Sequence, residues 1–390
     1  MADTYTVKNK KQGFLGKLGN SFASIPLGII IIIFGCGLIW NNEKKNVINI
    51  KDVKELRETV KKVSSESVDS AYEGKPIVTS GKLDFGNTYL TDSTFGISEL
   101  TPILVRTVEM YAWTETSQTK DDETTYTYST EWTTKPEQSA NFKQSEGHTN
   151  PSQMPFENQT LKAESLKVGA FELSNSFKDK LTTNASINAL EPGVALPEGY
   201  AVNGKYITNS ANLESPAVGD VRISFGYGDY TDVTVLGKQE GSKITGFVTA
   251  KGSTIIKLST RADATPAELI DEIEAGNKFS KWLWRIFGLI LVCMGTSMVL
   301  SPLTTLIGVI PFLGKIVNGA LGVVSFAIGF AISLVVMGIA WLVYRPILGI
   351  ALIVVSVGSI VLAKMYLSKK KDNNPSEVKE EIKEENKEEN

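Results

Sequence analysis

The chain has 390 residues and a formal net charge of −3, with a single histidine and two cysteines. This near-neutral balance, without a basic patch that carries interleaved aromatic residues, excludes a typical nucleic-acid-binding protein, and we expect no nucleic-acid partner. Both cysteines, Cys36 and Cys293, lie in apolar segments, which excludes a disulfide framework for a water-exposed domain.

Apolar residues are concentrated towards the two ends of the chain. About 20 consecutive apolar residues are needed to cross the hydrocarbon core of a bilayer as a helix. The sequence predicts four such transmembrane helices, at residues 22–40, 282–300, 319–344 and 347–366. The apolar stretch 301–318 is interrupted by prolines, so we expect an interfacial or re-entrant segment on the cytoplasmic side there.

Lysines flank these helices and predict their orientation, because cytoplasmic ends carry an excess of Lys and Arg. Four crossings place all of the lysine-rich flanks on one side. We therefore expect a cytoplasmic basic arm at residues 1–21, a large extracytoplasmic or lumenal domain at 41–281, and a disordered, charged cytoplasmic tail at 367–390.

The large domain begins and ends with predicted helices. Residues 52–63 have helical spacing of apolar side chains with Asp52 as N-cap, and residues 265–279 have a capping box of Thr265 and Glu268.

Between these helices the signals are for strands. Residues 102–116 and 124–134 predict a long hairpin, with Tyr126, Tyr128 and Trp132 on one face, and residues 220–259 predict a meander of short strands. The predicted fold class is an α+β extracytoplasmic domain, with antiparallel strands and flanking helices, joined to a four-helix α transmembrane region.

His148, the single histidine, raises the question of catalysis or metal binding. A histidine-based nucleophilic site needs a second partner within hydrogen-bond reach, and neither cysteine lies in the large domain. Asp220, Asp229 and Asp232 cluster near glycines, but their spacing matches no EF-hand loop. We therefore expect no catalytic residue, no metal site and no cofactor, and interpret His148 as a structural residue that bridges the turn at Asn150 and Pro151.

The predicted membrane helices lack Asp and Glu, which disfavours a transporter or channel. Arg285 and Arg345 fall at helix ends, where their side chains can reach the interface. Small residues recur at intervals of seven and favour close packing of helices, within one chain or between copies. These helix-packing residues are Gly28, Gly35, Gly288, Gly295, Gly322 and Gly329.

Four stretches carry a family resemblance: RTVEMYAWTET (106–116), YTYSTEWTTKPEQSANFKQSEGHTNPSQMP (126–155), VGDVRISFGY (218–227) and AWLVYRPIL (340–348). In their order and in the arrangement of apolar segments they resemble the LUMA family, also called transmembrane protein 43. We expect the following residues of these stretches to mark the architecture: Glu109, Tyr111, Trp113, Trp132, His148, Asn150, Pro151, Gly219, Asp220, Arg345 and Pro346.

The resemblance implies a multi-pass membrane protein without enzymatic activity. The first hypothesis is a self-associating scaffold or envelope-organising protein, with membrane lipids, a second copy of itself and an unidentified membrane or envelope protein as partners. The alternatives are an envelope hydrolase or metal-dependent enzyme that uses His148, and a transporter or channel. The lysine-rich, cysteine-poor composition favours a bacterial cytoplasmic membrane; a eukaryotic member would belong to the endoplasmic reticulum or inner nuclear membrane.

Overall fold

The computed structural model describes residues 3–8, 14–87, 89–120, 123–307, 314–347 and 349–350. The chain divides into two units, which we call the large domain (Met1–Gln12 and Lys51–Glu274) and the helical unit (Gly13–Ile50 and Ala275–Asn390). The helices are α1 (Phe14–Thr59), α2 (Asn175–Lys178), α3 (Pro266–Ile307) and α4 (Gly314–Tyr344), with short 3-10 turns at Ser70–Tyr72 and Ser139–Asn141.

Three of these helices are long and apolar enough to cross a membrane, within Leu18–Thr59, Pro266–Leu303 and Gly322–Tyr344. The chain therefore has the helices of a multi-pass membrane protein, with three candidate crossings in the described residues. The predicted fourth helix, 347–366, falls almost entirely outside these residues, and the predicted tail, 367–390, lies wholly outside them.

The helices at the ends of the large domain are longer than predicted. Residues 22–40 and 52–63 were expected as separate helices, but α1 runs without a break from Phe14 to Thr59. Neither Gly nor Pro occurs between residues 41 and 51 to end it. Asp52 is therefore not an N-cap but a buried residue inside the helix.

Helix α3 likewise joins the two predicted helices 265–279 and 282–300, and it continues through Pro302 to Ile307. Pro302 cannot donate a hydrogen bond to the carbonyl of Met298, four residues earlier. The Ser24 hydroxyl of α1 donates to that carbonyl instead, at 2.9 Å. The capping box is present at the start of α3, where the Thr265 N–H donates to Glu268 Oε2 at 2.7 Å. The segment expected at 301–318 thus consists largely of the ends of α3 and α4; residues 308–313 lie outside the described ranges.

The large domain is built from strands that lie mainly in two sheets. In chain order the strands are β1 (Asp3–Lys8), β2 (Lys61–Lys62), β3 (Pro76–Asp84), β4 (Leu90–Asp92), β5 (Ile97–Glu99), β6 (Ile103–Lys120), β7 (Glu123–Thr133), β8 (Gln159–Lys162), β9 (Lys167–Val168) and β10 (Phe171–Leu173). They continue with β11 (Ala185–Ser186), β12 (Ala201–Asn203), β13 (Tyr206–Thr208), β14 (Val221–Tyr227), β15 (Asp232–Glu240), β16 (Lys243–Thr245), β17 (Phe247–Val248), β18 (Thr254–Ile255) and β19 (Lys257–Ser259).

The first sheet has eight strands, in the order β1-β7-β6-β14-β13-β12, with β8 on β6 and β11 on β14. Its centre is the antiparallel hairpin of β6 and β7, whose register runs from Met110 opposite Thr133 to Lys120 opposite Glu123. The expected hairpin is therefore present, and β6 extends further into the polar segment than the sequence suggested.

The second sheet has seven strands, in the order β19-β15-β16-β10-β9-β3-β2. Its pairings are mainly antiparallel, as predicted, and two short ones, β10 with β16 and β2 with β3, are parallel. The predicted meander over 220–259 is also divided between sheets, because β14 pairs with β6 whereas β15 pairs with β3. The chain changes sheet at Gly228, where an added Cβ would lie 2.6 Å from Ile103 Cγ2.

Residues 3–8 do not form a separate arm. The segment Asp3–Lys8 pairs with β7, from Asp3 opposite Tyr128 to Lys8 opposite Glu123. Its alternation of Thr, Tyr and Val favours a strand, and the outer edge of β7 offers unpaired backbone groups. The pairing places residues 3–8 in the first sheet, and the domain boundary at residue 21 stays a prediction. The sidedness of the helices stays a prediction.

Candidate functional site

His148 is buried in the first sheet's aromatic face. Its imidazole stacks on the Tyr128 ring, with centroids 3.9 Å apart and planes 19° apart, and meets the edge of Trp113 at 4.7 Å. The Nδ1 atom lies 3.0 Å from the carbonyl oxygen of Gln144, and Nε2 lies 3.3 Å from Asp3 Oδ2. Both ring nitrogens thus face oxygen acceptors, and a neutral ring donates to only one of them.

Tyr128 connects the same turn to the hairpin. Its hydroxyl donates to Glu115 Oε2 at 2.6 Å and accepts the Gln144 N–H at 2.9 Å. Glu115 Oε2 also accepts the Lys143 N–H at 2.6 Å. Burial, reinforced by the hydrogen bond to Glu115, raises the pKa of Tyr128 to about 12. The phenol is therefore a neutral structural donor at physiological pH.

Asn150 acts as a substitute strand partner for β6. Its Oδ1 accepts the Trp113 N–H at 2.7 Å, and its Nδ2 donates to the Trp113 carbonyl at 2.9 Å and to the Glu137 carbonyl at 3.0 Å. The Asn150 N–H donates to Ser139 Oγ at 2.6 Å. One side chain thus satisfies both backbone groups of a strand residue and fixes the following chain against the sheet.

Pro151 packs beside the turn that precedes β14. A Cβ added at Gly219, where φ is +95°, would lie 3.2 Å from Pro151 Cγ. The Gly219 N–H donates to the Tyr111 carbonyl at 2.9 Å, and the Tyr111 N–H donates to the Asp220 carbonyl at 2.8 Å. Asp220 Oδ2 accepts the Ala217 N–H at 2.9 Å, so this carboxylate stabilises the turn. Glycine suits the positive φ there.

Further along the same face, Glu109 and Arg222 form a two-pronged ion pair with distances of 2.7 and 3.0 Å. The guanidinium lies 4.5 Å from the centroid of the Trp132 ring and 5.1 Å from that of Tyr206. The Tyr111 and Trp132 rings are themselves 5.4 Å apart. Since alternate residues of a strand share a face, the predicted markers of β6 and β7 lie together.

A groove of about 450 Å³ opens where the segment after the hairpin returns to the sheet. Its lining residues are Pro136, Glu137, Gln138, Ser139, Ala140, Thr149, Asn150, Pro151, Ser152, Gln153 and Met154. The lining mixes polar and apolar surface and includes two prolines, and Glu137 is the one ionisable side chain among these residues. His148 borders this segment but does not line the groove.

Within the described ranges, no group of three or more His, Cys, Asp or Glu side chains is placed to hold a metal ion. Asp229 belongs to a separate contact, in which its N–H donates to Asn184 Oδ1 at 2.7 Å, while Asp220 holds its own turn. The clustering of Asp220, Asp229 and Asp232 in sequence does not become a shared site.

In the helical unit, the predicted packing glycines lie between helices of one chain. A Cβ at Gly28 would be 2.8 Å from the Gly295 carbonyl oxygen, and one at Gly35 would be 3.1 Å from that of Gly288. Gly329 of α4 similarly approaches Cys293 of α3, at 2.8 Å from its Cα. No heavy atom of the described chain lies within 4 Å of an added Cβ at Gly322. Five of the six glycines therefore bring helices of one chain together, and Gly322 is open.

A buried ion pair between α1 and α3 was missed by the sequence reasoning. Arg285 Nε donates to Glu43 Oε1 at 2.6 Å, and the two side chains are 10% and 1% exposed. Trp341 Nε1 of α4 donates to the other carboxylate oxygen at 2.9 Å. Arg285 was expected at a helix end with its side chain reaching the interface, whereas it is paired with Glu43. The one available signal in the sequence is the charge of Glu43 close after the first apolar run.

The last two sequence markers lie just after α4. The Arg345 N–H donates to the Trp341 carbonyl at 2.7 Å, and its side-chain Nη2 is buried without a hydrogen-bond partner among the described residues. Pro346 is exposed. Arg345 thus adds positive charge near Glu43.

Comparison with known proteins agrees with the resemblance. Residues 110–346, more than half of the chain, match the family model described as Transmembrane protein 43. The chain belongs to the transmembrane protein 43 family. No solved structure matches it.

Curated members of the transmembrane protein 43 family match over almost their whole length. The human protein is 29% identical over 388 residues, which cover 94% of this chain and 96% of the relative. The orangutan (Pongo abelii) protein has the same identity and coverage. The Drosophila melanogaster homologue is 27% identical over 347 residues, with 84% and 90% covered. Their names describe membrane proteins and mention no reaction.

Proposed function

We propose that this integral membrane protein is a non-enzymatic scaffold that self-associates and presents its large domain to an envelope or membrane partner. Family membership and the apolar helices support the membrane assignment. The scaffold role is our inference from the geometry of the large domain and of the helices.

The observation that carries the proposal is the set of contacts made by the His148 ring. A general base needs a ring nitrogen free to accept a proton from substrate. Here Nδ1 is directed at Gln144, Nε2 at Asp3, and one ring face is covered by Tyr128. The contacts of His148 thus stabilise a turn, and this supports a structural role for the residue.

The same turn shapes the surface that would receive a partner. Asn150 and Pro151 fix the segment that lines the groove, through the bonds to Trp113 and the packing beside Gly219. A groove whose lining is already held in place lowers the entropy cost of ordering these residues when a partner binds. We assign this groove to partner recognition rather than to chemistry.

Self-association is supported by the outer face of α4. Among the described residues nothing packs against Gly322, and the neighbouring Val323, Phe326 and Phe330 are exposed. Small residues let helix backbones approach closely in a membrane, where van der Waals packing contributes to association. The glycines of α1 and α3, and Gly329 of α4, already pack within one chain, so we assign contacts between copies to the part of α4 around Gly322, where an added Cβ would meet no other segment of the described chain.

The test is affinity purification of the tagged full-length protein from native membranes, with identification of co-purifying proteins. Gln153→Arg changes the groove lining, and Lys180→Glu changes an exposed residue elsewhere in the large domain. The proposal is supported if a partner is lost with Gln153→Arg and still recovered with Lys180→Glu. Recovery of the same proteins with both variants would refute recognition through the groove.

A further inference from the structure

We propose that Lys281 and Arg285 of α3 and Arg345 at the C-terminal end of α4, beside Glu43 of α1, form a binding site for the phosphate of an anionic lipid headgroup. This inference goes beyond the scaffold role and does not depend on self-association. We call Glu43, Lys281, Arg285 and Arg345 the charged cluster. The inference rests on the net charge of this cluster, on an unsatisfied guanidinium nitrogen within it and on the exposed residues beside it.

The cluster carries more positive than negative charge. Glu43 is its carboxylate, and both of its oxygens are used, by Arg285 Nε at 2.6 Å and by Trp341 Nε1 at 2.9 Å. Arg345 lies close enough to act electrostatically on both Glu43 and Lys281. Three cations thus surround one neutralised carboxylate, and a further anion would balance the remaining charge.

Arg345 indicates what kind of anion fits. Its Nη2 is buried, yet no group in the described chain accepts a hydrogen bond from it. A buried donor left without a partner costs free energy, and a ligand oxygen would recover it. Phosphate offers several acceptor oxygens in the geometry that a guanidinium fork matches.

The arrangement differs from that of cations that merely extend to the interface. A side chain that does so keeps its charged end in water. The Nη2 of Arg345 is instead shielded from solvent, and Arg285 is held over Trp282 at 4.9 Å and near Trp341 at 5.8 Å. The Arg285 guanidinium is positioned by protein contacts before any ligand arrives.

The surroundings point to a lipid as the source of the phosphate. Trp282 is exposed beside the cations, as are Ile286 and Phe287 on α3 and Leu342 and Val343 on α4. Tryptophan is enriched at the level of lipid headgroups, and exposed apolar side chains of membrane helices contact acyl chains. Basic pockets between membrane helices are suited to anionic headgroups.

The experiment measures thermal stability of the full-length protein in a neutral detergent, with added phosphatidylglycerol, phosphatidylcholine or inorganic phosphate. We expect phosphatidylglycerol to raise the melting temperature in a saturable way, and the other two to leave it unchanged at equal concentration. Arg345→Gln and Lys281→Gln should each weaken the apparent affinity about fivefold, the effect of roughly one headgroup-facing cation. Lys180→Gln, the same charge change in the large domain, should bind as the unchanged protein does.

Equal stabilisation by phosphatidylglycerol and phosphatidylcholine in the unchanged protein would overturn the proposal, and this comparison holds even if a variant fails to fold. Full affinity in both Arg345→Gln and Lys281→Gln would overturn it as well. Saturable stabilisation by inorganic phosphate alone would refute a lipid as the ligand. An equal loss in Lys180→Gln would show attraction to the net charge of the protein instead of a site.

Discussion

Asn150 bonds both backbone groups of Trp113: its Oδ1 accepts the N–H at 2.7 Å and its Nδ2 donates to the carbonyl at 2.9 Å. This is the pattern that a neighbouring strand would make, supplied by one amide side chain. It holds the segment that lines the groove against β6, and it makes Asn150 a sharper test of the turn than any apolar contact.

Asn150→Ala should lower the free energy of unfolding by about 2–3 kcal/mol, because buried Trp113 and Glu137 groups lose their partner. Asn150→Asp should be at least as damaging, since a carboxylate cannot donate to the two carbonyls. Thermal unfolding of the full-length protein, followed by tryptophan fluorescence, measures both.

Thr149→Ala is the matched control, because the Thr149 hydroxyl is exposed and makes one bond of 3.3 Å to the Ser145 carbonyl. Its effect should stay within about 0.5 kcal/mol. If Asn150→Ala were as stable as Thr149→Ala, the side-chain bridge would not hold the turn.

His148→Ala should also destabilise the large domain, by about 1–3 kcal/mol, because it removes the stack on Tyr128 and the hydrogen bond to Gln144. His148→Gln should recover part of this loss, since its amide can donate towards the same carbonyl. Melting temperature and rescue of a deletion strain are measured side by side. Two folded variants that both abolish rescue would contradict the structural role and favour the enzyme hypothesis.

Tyr128 gives the large domain a dependence on alkaline pH. Its pKa is raised to about 12 from an ordinary value of 10.0, so the unfolded state releases this proton first as the pH rises. The stabilisation is complete below pH 10.0 and is lost as the pH rises towards 12. The free energy of unfolding, measured at pH values across this window, should fall more steeply for the unchanged protein than for Tyr128→Phe. Parallel curves for the two proteins would show that Tyr128 does not contribute to the fall.

The hairpin could be predicted because its signal is local. Tyr126, Tyr128 and Trp132 alternate along one strand, and that periodicity alone fixes a shared face. The position of His148 on that face could not be predicted, because it depends on the Asn150 side chain, which bonds Trp113 37 residues away. A turn motif in the sequence indicates that the chain reverses direction, but it does not indicate which segment the chain then contacts.

The ends of the membrane helices show the same limit. The polar and charged residues 41–45 follow the apolar run, and so a helix end was expected at residue 40. Helix α1 continues past residue 40 because its backbone hydrogen bonds are not interrupted there. The charge of Glu43 is accommodated by Arg285, 242 residues later. An ion pair between distant segments produces no characteristic residue spacing in the sequence. Likewise, the glycines indicated close packing, while the choice of partner helix came from the folded chain.

Gly295→Leu and Gly322→Leu separate packing within one chain from packing between copies. A Cβ at Gly295 would lie 2.6 Å from the Gly28 carbonyl oxygen, so Gly295→Leu should lower the melting temperature. Gly322→Leu should leave it unchanged and reduce the crosslinked dimer. A strongly lowered melting temperature for Gly322→Leu, or an undiminished dimer, would contradict the assignment of α4 to self-association.

The central claim, a self-associating scaffold, is tested most directly by chemical crosslinking of the full-length protein in its native membrane at its natural expression level. We predict crosslinked species at multiples of the monomer mass, together with a partner that co-purifies with them. A strictly monomeric protein, with no co-purifying partner at crosslinker concentrations that capture a known oligomer in the same membrane, would contradict it.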